Sequence, residues 1–271
     1  MVARRMRRRG WIKGGTKPPA AQDVRKTQHS KISHSNSRAH SRCISPLTEA
    51  QAYVFDIEGT LIDTALPTLN LWRETLAEFG FSFTTADLHR CSGLSRQDML
   101  SRLLATEQDN EIAEFVLNKF QNRYRNEMVP NLRTLPGARA LLAKLRSRGI
   151  KVALTTAADG EELAQYRGLL KADDCVDAFI CQTDEAASDF DRVTTALDRL
   201  GMTKPDDAIY VGDTPYDAEV ASAACVRSFG LLSGHFARAD LLEAGCVAVF
   251  LDPQGLSDAI IDEEELTPEA A

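Results

Sequence analysis

No run of eighteen or more apolar residues occurs in this sequence, so no membrane-spanning helix is expected. Cysteine is sparse and unpaired. Cys43, Cys91, Cys175, Cys181, Cys225 and Cys246 show no C-x-x-C spacing and none of the density of a disulfide-stapled secreted fold, which points to reduced thiols in a cytoplasmic setting. Acidic residues are nearly missing from the first 46 positions, where twelve Lys/Arg face Asp23 alone, a net of +11. Since the whole chain carries −7, the remainder carries −18. A body that acidic lacks the clustered Lys/Arg that release counterions from a polyanion, so it is a poor match for nucleic acid and only the tail could touch one.

What is present divides the chain. Residues 1–48 are rich in Arg, Ser and His without helical or strand periodicity, the composition of a disordered tail. An organelle-targeting peptide, a nucleic-acid-touching arm and an inert extension remain the three alternatives for it. From Ala52 short apolar runs recur: Ala52–Ile57, Lys151–Thr156, Val176–Cys181, Ala208–Asp213, Cys225–Gly230 and Cys246–Leu251. Helical patterns closed by Gly149, Gly201 and Gly245 lie between several of them, which predicts an α/β fold, a Rossmann-like parallel sheet flanked by helices. The interval from Thr64 to Leu135 breaks the alternation with helical patterns only: Leu66–Phe79, Ala86–Cys91, Arg96–Ala105 and Asn110–Met128. The expected organisation is a core of residues 49–63 and 136–262, an inserted all-helical cap over 64–135, and an acidic C-terminal tail over 263–271. In a parallel sheet Asp56 with Glu58, Thr156, and Asp213 with Asp217 all project from one carboxyl edge, where ligands of such folds bind.

The segment Asp56-Ile-Glu-Gly-Thr-Leu-Ile-Asp63 resembles the first motif of the haloacid dehalogenase superfamily, D-x-D-G-T-L-x-D. The similarity runs from about Tyr53 to Leu251 and lies nearest the capped phosphatase branch that includes phosphoglycolate phosphatases and β-phosphoglucomutases. It implies that Asp56 is the nucleophile toward phosphorus and that Glu58 is the general acid/base, lending its backbone carbonyl to Mg2+. A carboxylate nucleophile divides one hard displacement into two easier ones. The resemblance further implies that Thr156 and the amide of Ala157, with Gly59 and Thr60, hold the phosphoryl oxygens. Ile209-Tyr-Val-Gly-Asp-Thr-Pro-Tyr-Asp217 is similar to the magnesium segment, with Asp213 the direct ligand and Asp217 acting through water or fixing the loop; a first-turn acid on a helix dipole is the plainer reading of Asp217. Arg96, in Cys91-Ser-Gly-Leu-Ser-Arg96, corresponds to a cap residue that contacts substrate, while Ser95 with Asp98 reads as a capping box.

Two departures from the pattern stand out. Glu58 replaces the usual Asp, as in enolase-phosphatases, and Ala187 aligns with the Lys that normally faces the nucleophile. Arg192 either substitutes for that ammonium or is an ordinary exposed helix residue, the latter being the simpler reading. The implied activity is Mg2+-dependent hydrolysis of a small phosphorylated metabolite, the alternatives being a phosphosugar mutase or a weakened binding protein.

Overall fold

The computed structural model describes residues 50–104, 111–182 and 188–265, so the N-terminal tail, Ala187 and the last six positions lie outside the described residues. Six strands form one sheet: β1 (Ala52–Asp56), β2 (Lys151–Thr155), β3 (Ala178–Ile180), β4 (Ala208–Gly212), β5 (Arg227–Leu231) and β6 (Ala248–Phe250). All pairings are parallel and the order is β3-β2-β1-β4-β5-β6. The strands read as continuous apolar runs because both faces are covered. In β1, Tyr53 and Phe55 enter one buried cluster with Val152, Leu154, Ile209 and Val211, whereas Ala52 and Val54 enter the opposite one with Ala153, Ala208 and Tyr210.

After β1 the described elements are helical until the chain returns to the sheet: α1 (Ala65–Glu78), α2 (Thr85–His89), α3 (Arg96–Leu104), α4 (Glu111–Arg123) and a π-helical turn (Tyr124–Met128). The way out and the way back are tied together. Asp63 donates its amide to Arg133 at 2.9 Å and Leu135 donates to Leu61 at 2.9 Å, with an antiparallel bridge between Ile62 and Thr134. The insert therefore leaves the sheet on a short paired ribbon, held internally by an aromatic stack. Trp72 of α1 lies 3.6 Å, centroid to centroid, from Phe120 of α4, and Phe120 lies 5.7 Å from Tyr124.

The remaining helices alternate with strands: α5 (Ala138–Ser147), α6 (Gly160–Leu170), α7 (Asp189–Arg199), α8 (Pro215–Ala223), α9 (Arg238–Ala244) and α10 (Pro253–Glu265). Helical backbone in α10 runs to Glu265, past position 263 where the acidic tail was expected to start. The last apolar run is paired as Ala248–Phe250, and the fifth strand begins at Arg227 rather than Cys225 because Cys225 takes a positive φ of 58°, which ends the preceding helix instead of starting a strand. Among the described residues no helix is long and apolar enough to cross a membrane, and the five described cysteines are free thiols.

Trp72 is 1% exposed and fills the centre of the insert. Truncation in Trp72→Ala is expected to cost about 3–5 kcal/mol of unfolding free energy in urea; a loss under about 1 kcal/mol would show that the stack is not what holds the insert together.

Candidate active site

Parallel strands deliver their carboxyl ends to one edge, and at the β1/β4 switch in strand order that edge opens into a cavity of about 290 Å³. Asp56, Glu58, Thr156, Asp213 and Asp217 all line it, as do Gly59 and Ala157. The insert supplies the opposite wall, including Trp72, Met99, Leu117 and Tyr124. Residues distant in sequence thus share one enclosure, as expected from their strand-end positions.

Each acid is held by identifiable local structure. Asp56 ends β1, across from Thr155 in the register with β2. Glu58 sits in the turn after β1. Its two carboxyl oxygens accept from the Thr156 hydroxyl at 2.8 Å each, and Oε1 also accepts from the Tyr166 hydroxyl at 3.2 Å. Thr156 itself accepts from the Ala158 amide at 2.9 Å. Thr155, by contrast, turns its hydroxyl onto the carbonyl of Phe55 at 3.3 Å, so Thr156 is the hydroxyl that meets the acid/base candidate.

Asp213 is 3% exposed and packed between two glycines. A methyl at Gly59, which has a φ of +81°, or at Gly234 would overlap the Asp213 carboxyl. Gly59 is thus required twice, for its left-handed backbone and for the acid's approach. Thr60, expected at phosphoryl oxygens, instead donates to Asp213 Oδ1 at 3.0 Å; it is fully buried and does not line the cavity. Gly234 was not foreseen, because nothing in the local pattern connects the end of β5 to Asp213.

Asp217 closes a capping box on α8. Its Oδ2 accepts from the Thr214 amide at 2.9 Å and hydroxyl at 2.6 Å, and Oδ1 accepts from the Tyr210 hydroxyl at 3.3 Å. This is the helix-starting role of a first-turn acid, carried out on the cavity wall. Ser95 and Asp98 make the expected local pair at the start of α3, with the Asp98 amide donating to Ser95 Oγ at 3.1 Å.

Two arginines depart from expectation. Arg96 lines the cavity, but both terminal nitrogens donate to Glu162 at 2.8 Å, a bidentate pair with a fully buried carboxylate, so its fork is already engaged. Burial works against the Arg96 charge, and the Glu162 bonds outweigh it, raising the pKa. Arg192, taken as an exposed helix residue, is 7% exposed and lines the cavity. Burial lowers its pKa, while Tyr210, Asp56 and Glu58 favour its charge. The exposed reading is therefore corrected: α7 turns this side of the helix inward, toward the nucleophile candidate.

The electrostatics follow from crowding acids in a desolvated place. Asp56 is pushed well above the ordinary carboxylate range by burial, then by Asp217, Glu58 and Asp213. Burial and Asp217 do the same to Asp213, and burial raises Asp217 and Glu58 against the hydrogen bonds of Thr214 and Thr156 respectively. Among the described residues no three Asp, Glu, His or Cys side chains form a ready-made metal cage. Mg2+ does not need one, since it takes one or two carboxylates and completes its shell with water and substrate oxygens. The donor set here is oxygen only, mutually repelling and short of positive charge, which fits a hard divalent cation better than zinc or a soft metal.

The family profile of haloacid dehalogenase-like hydrolases matches residues 53–231, and the chain belongs to that family. It is 29% identical over 218 residues to a phosphoglycolate phosphatase of Rhodospirillum rubrum, covering 77% of this chain and 90% of the relative. It is also 25% identical over 203 residues to a phosphorylated carbohydrates phosphatase of Thermotoga maritima, covering 73% of this chain and 93% of that one. In fold it is similar to a hydrolase from Pseudomonas syringae, with a TM-score of 0.69 at 24% identity over 80% of this chain and all of the other.

Raised carboxyl pKa values stabilise the fold while the groups are protonated, at acid pH, and that contribution is lost as pH rises through the raised values. In chelator-treated protein, calorimetric Tm is therefore expected to fall from about pH 5 to about pH 8 more steeply in the wild type than in Asp213→Asn, which removes one of the repelling charges. Equal slopes would contradict the electrostatic account.

Proposed function

We propose that the protein is a magnesium-dependent phosphomonoester hydrolase that works through an aspartyl-phosphate on Asp56, with a small phosphorylated metabolite of the phosphoglycolate class as substrate. The observation that carries the reading is the meeting of Asp56 with Glu58, Thr156 and Asp213 in one cavity from three separate segments. Named phosphatases among the relatives support the reaction class.

Asp56 is aimed out of the sheet edge, and one of its oxygens attacks phosphorus as the bond from phosphorus to the ester oxygen breaks. Glu58, with its pKa raised by burial, is the carboxyl that hands a proton to the departing alkoxide. In the second half Glu58 takes a proton from water, the hydroxide attacks the aspartyl-phosphate at phosphorus, and phosphate leaves as the Asp56 carboxylate is regenerated. Thr156 and the amide beside Ala157 lie where phosphoryl oxygens would replace the Thr156 contact to Glu58. Bound next to Asp56, Asp213 and the Glu58 carbonyl, Mg2+ would neutralise the acids and the phosphoryl charge. Asp217 holds the α8 start that carries Asp213 into place. The insert, arching over the cavity as a cap, excludes water from the attack.

Arg192 answers the missing Lys at Ala187. Its guanidinium, buried beside the cavity, is a cation that would offset repulsion between Asp56 and an incoming phosphate. The acidic body and the small cavity favour a metabolite over nucleic acid, and a cytoplasmic site of action accords with free thiols.

Release of phosphate from a panel of esters is expected to require Mg2+ and to fall by about three orders of magnitude or more in Asp56→Asn; unchanged turnover in that variant would end the covalent reading. Arg192→Met is expected to lose about two to three orders of magnitude in kcat/KM, with partial recovery in Arg192→Lys. Recovery in neither variant's favour, with Arg192→Met as active as wild type, would return Arg192 to a structural part.

A further inference from the structure

One face of α6 meets the insert over its first two turns. Asp159, which caps the helix, pairs with Arg125; Glu162 pairs with Arg96 and with Arg125; Tyr166 meets Tyr124. Positions 159, 162 and 166 stand three and four apart, so they form a single stripe. Their partners Arg96, Tyr124 and Arg125 all belong to the insert. The Arg96 guanidinium also lies 4.4 Å from the Tyr124 ring centre, which fixes that ring from above.

The tyrosine pair leads inward from this seam to the acid/base candidate. Tyr124 and Tyr166 are 1% and 0% exposed, and their hydroxyl oxygens are 2.6 Å apart. Burial raises the pKa of both, with Glu58 the next cause in each case, so both remain phenols with one proton apiece. While Glu58 is ionised, the order of donation is fixed. An ionised Glu58 can only accept, so Tyr166 spends its proton on Glu58 Oε1, and Tyr124 must donate to Tyr166. The run is Tyr124 to Tyr166 to Glu58, beginning on the insert and ending on the carboxylate of the core.

We propose that Tyr166 and Tyr124 are positioning residues for Glu58, and that docking of the insert on α6 completes the alignment of the acid/base group. Tyr166 orients the carboxyl, with Thr156 until phosphoryl oxygens take that hydroxyl; Tyr124 fixes Tyr166 and is present only while the insert is docked. Motion of the insert on its ribbon at 61–63 and 133–135 would break the tyrosine contact and the Arg–Glu162 pairs together, leaving Tyr166 beside Glu58 without the partner that fixes it. The acid is thereby aligned when the cavity is covered. Two buried hydroxyls are otherwise an odd choice for this wall, because replacing both members of a buried hydrogen-bonded pair with isosteric apolar groups is nearly neutral for stability.

This inference rests on the hydrolase reading and deepens it. The test compares kcat/KM for glycerol phosphate, whose alkoxide must be protonated to leave, with p-nitrophenyl phosphate, whose leaving group needs no proton. Tyr166→Phe and Tyr124→Phe should each lose about 10-fold or more on the alkyl ester and less than about 3-fold on the aryl ester, and the double variant should be no worse than the poorer single. Calorimetry gives the folding control, and either single variant carries the test if the other folds poorly. Equal losses on the two esters, no loss, or losses that multiply in the double variant would overturn the positioning role while leaving the hydrolase reading intact. An inert wild type on both esters, with Mg2+ present, would instead remove the hydrolase reading and this inference with it.

Discussion

Mutual repulsion among carboxylates crowded into one enclosed sheet edge is the constraint on which this site depends. Asp56, Glu58, Asp213 and Asp217 come from β1, the turn beyond it, the end of β4 and the first turn of α8, and each raises or feels the charge of another. Such a group is costly for a metal-free fold, because charge in a desolvated place is costly unless it is paired. The backbone bears the cost locally. Gly59 and Gly234 let Asp213 lie against main chain, Thr60 donates to it, and Thr214 with Tyr210 saturates Asp217. Substituents on those glycines would displace the acid rather than merely crowd it.

A second charge arrangement, complete within itself, holds the insert over this deficit. Glu162 has no exposure and lies between Arg96 and Arg125, while Asp159 shares Arg125. A buried ion pair stabilises a fold weakly at best, but breaking one by removing a single partner is severe, since the other charge is left uncompensated. That asymmetry suits a seam with two states, docked and open to water, better than one caught halfway. On the other side of the cavity His89 Nε2 lies 2.8 Å from the Gly234 carbonyl and the His89 ring stacks on Phe236, so the insert touches the loop that packs against Asp213 as well as the helix that reaches Glu58.

The sheet was legible because strands covered on both faces are apolar throughout, and the apolar runs at 52, 151, 208 and 246 stand clear of their neighbours. The insert was legible from helical periodicity broken by Gly80 and by the Ser95–Asp98 box. Arg192 was misread for want of a face. Its spacing from Ala196 and Leu200, four and eight residues on, does put it on the buried side of α7, and that signal outranks the charge of the residue. Tyr124 and Tyr166 offered no such clue: aromatic residues on helices are ordinary core, and only the fold brings their hydroxyls together. Thr60 was assigned by motif position alone, which names a neighbourhood and not the direction of a hydroxyl.

The Glu at position 58 becomes intelligible from its contacts. One more methylene moves the carboxyl outward by about one bond length and adds a rotor whose freedom must be lost before the acid can act. A longer arm held at one point would swing. Here two separate donors hold it, Thr156 on the end of β2 across both oxygens and Tyr166 on α6 at one of them, from different elements and different directions. The reach that the longer side chain gains is what brings Oε1 to the Tyr166 hydroxyl, and through Tyr166 to the insert. Glu58 and the tyrosine pair are therefore best understood as one device, in which the side-chain length and the hydroxyl that receives it have to be compatible for the acid to be aimed at all.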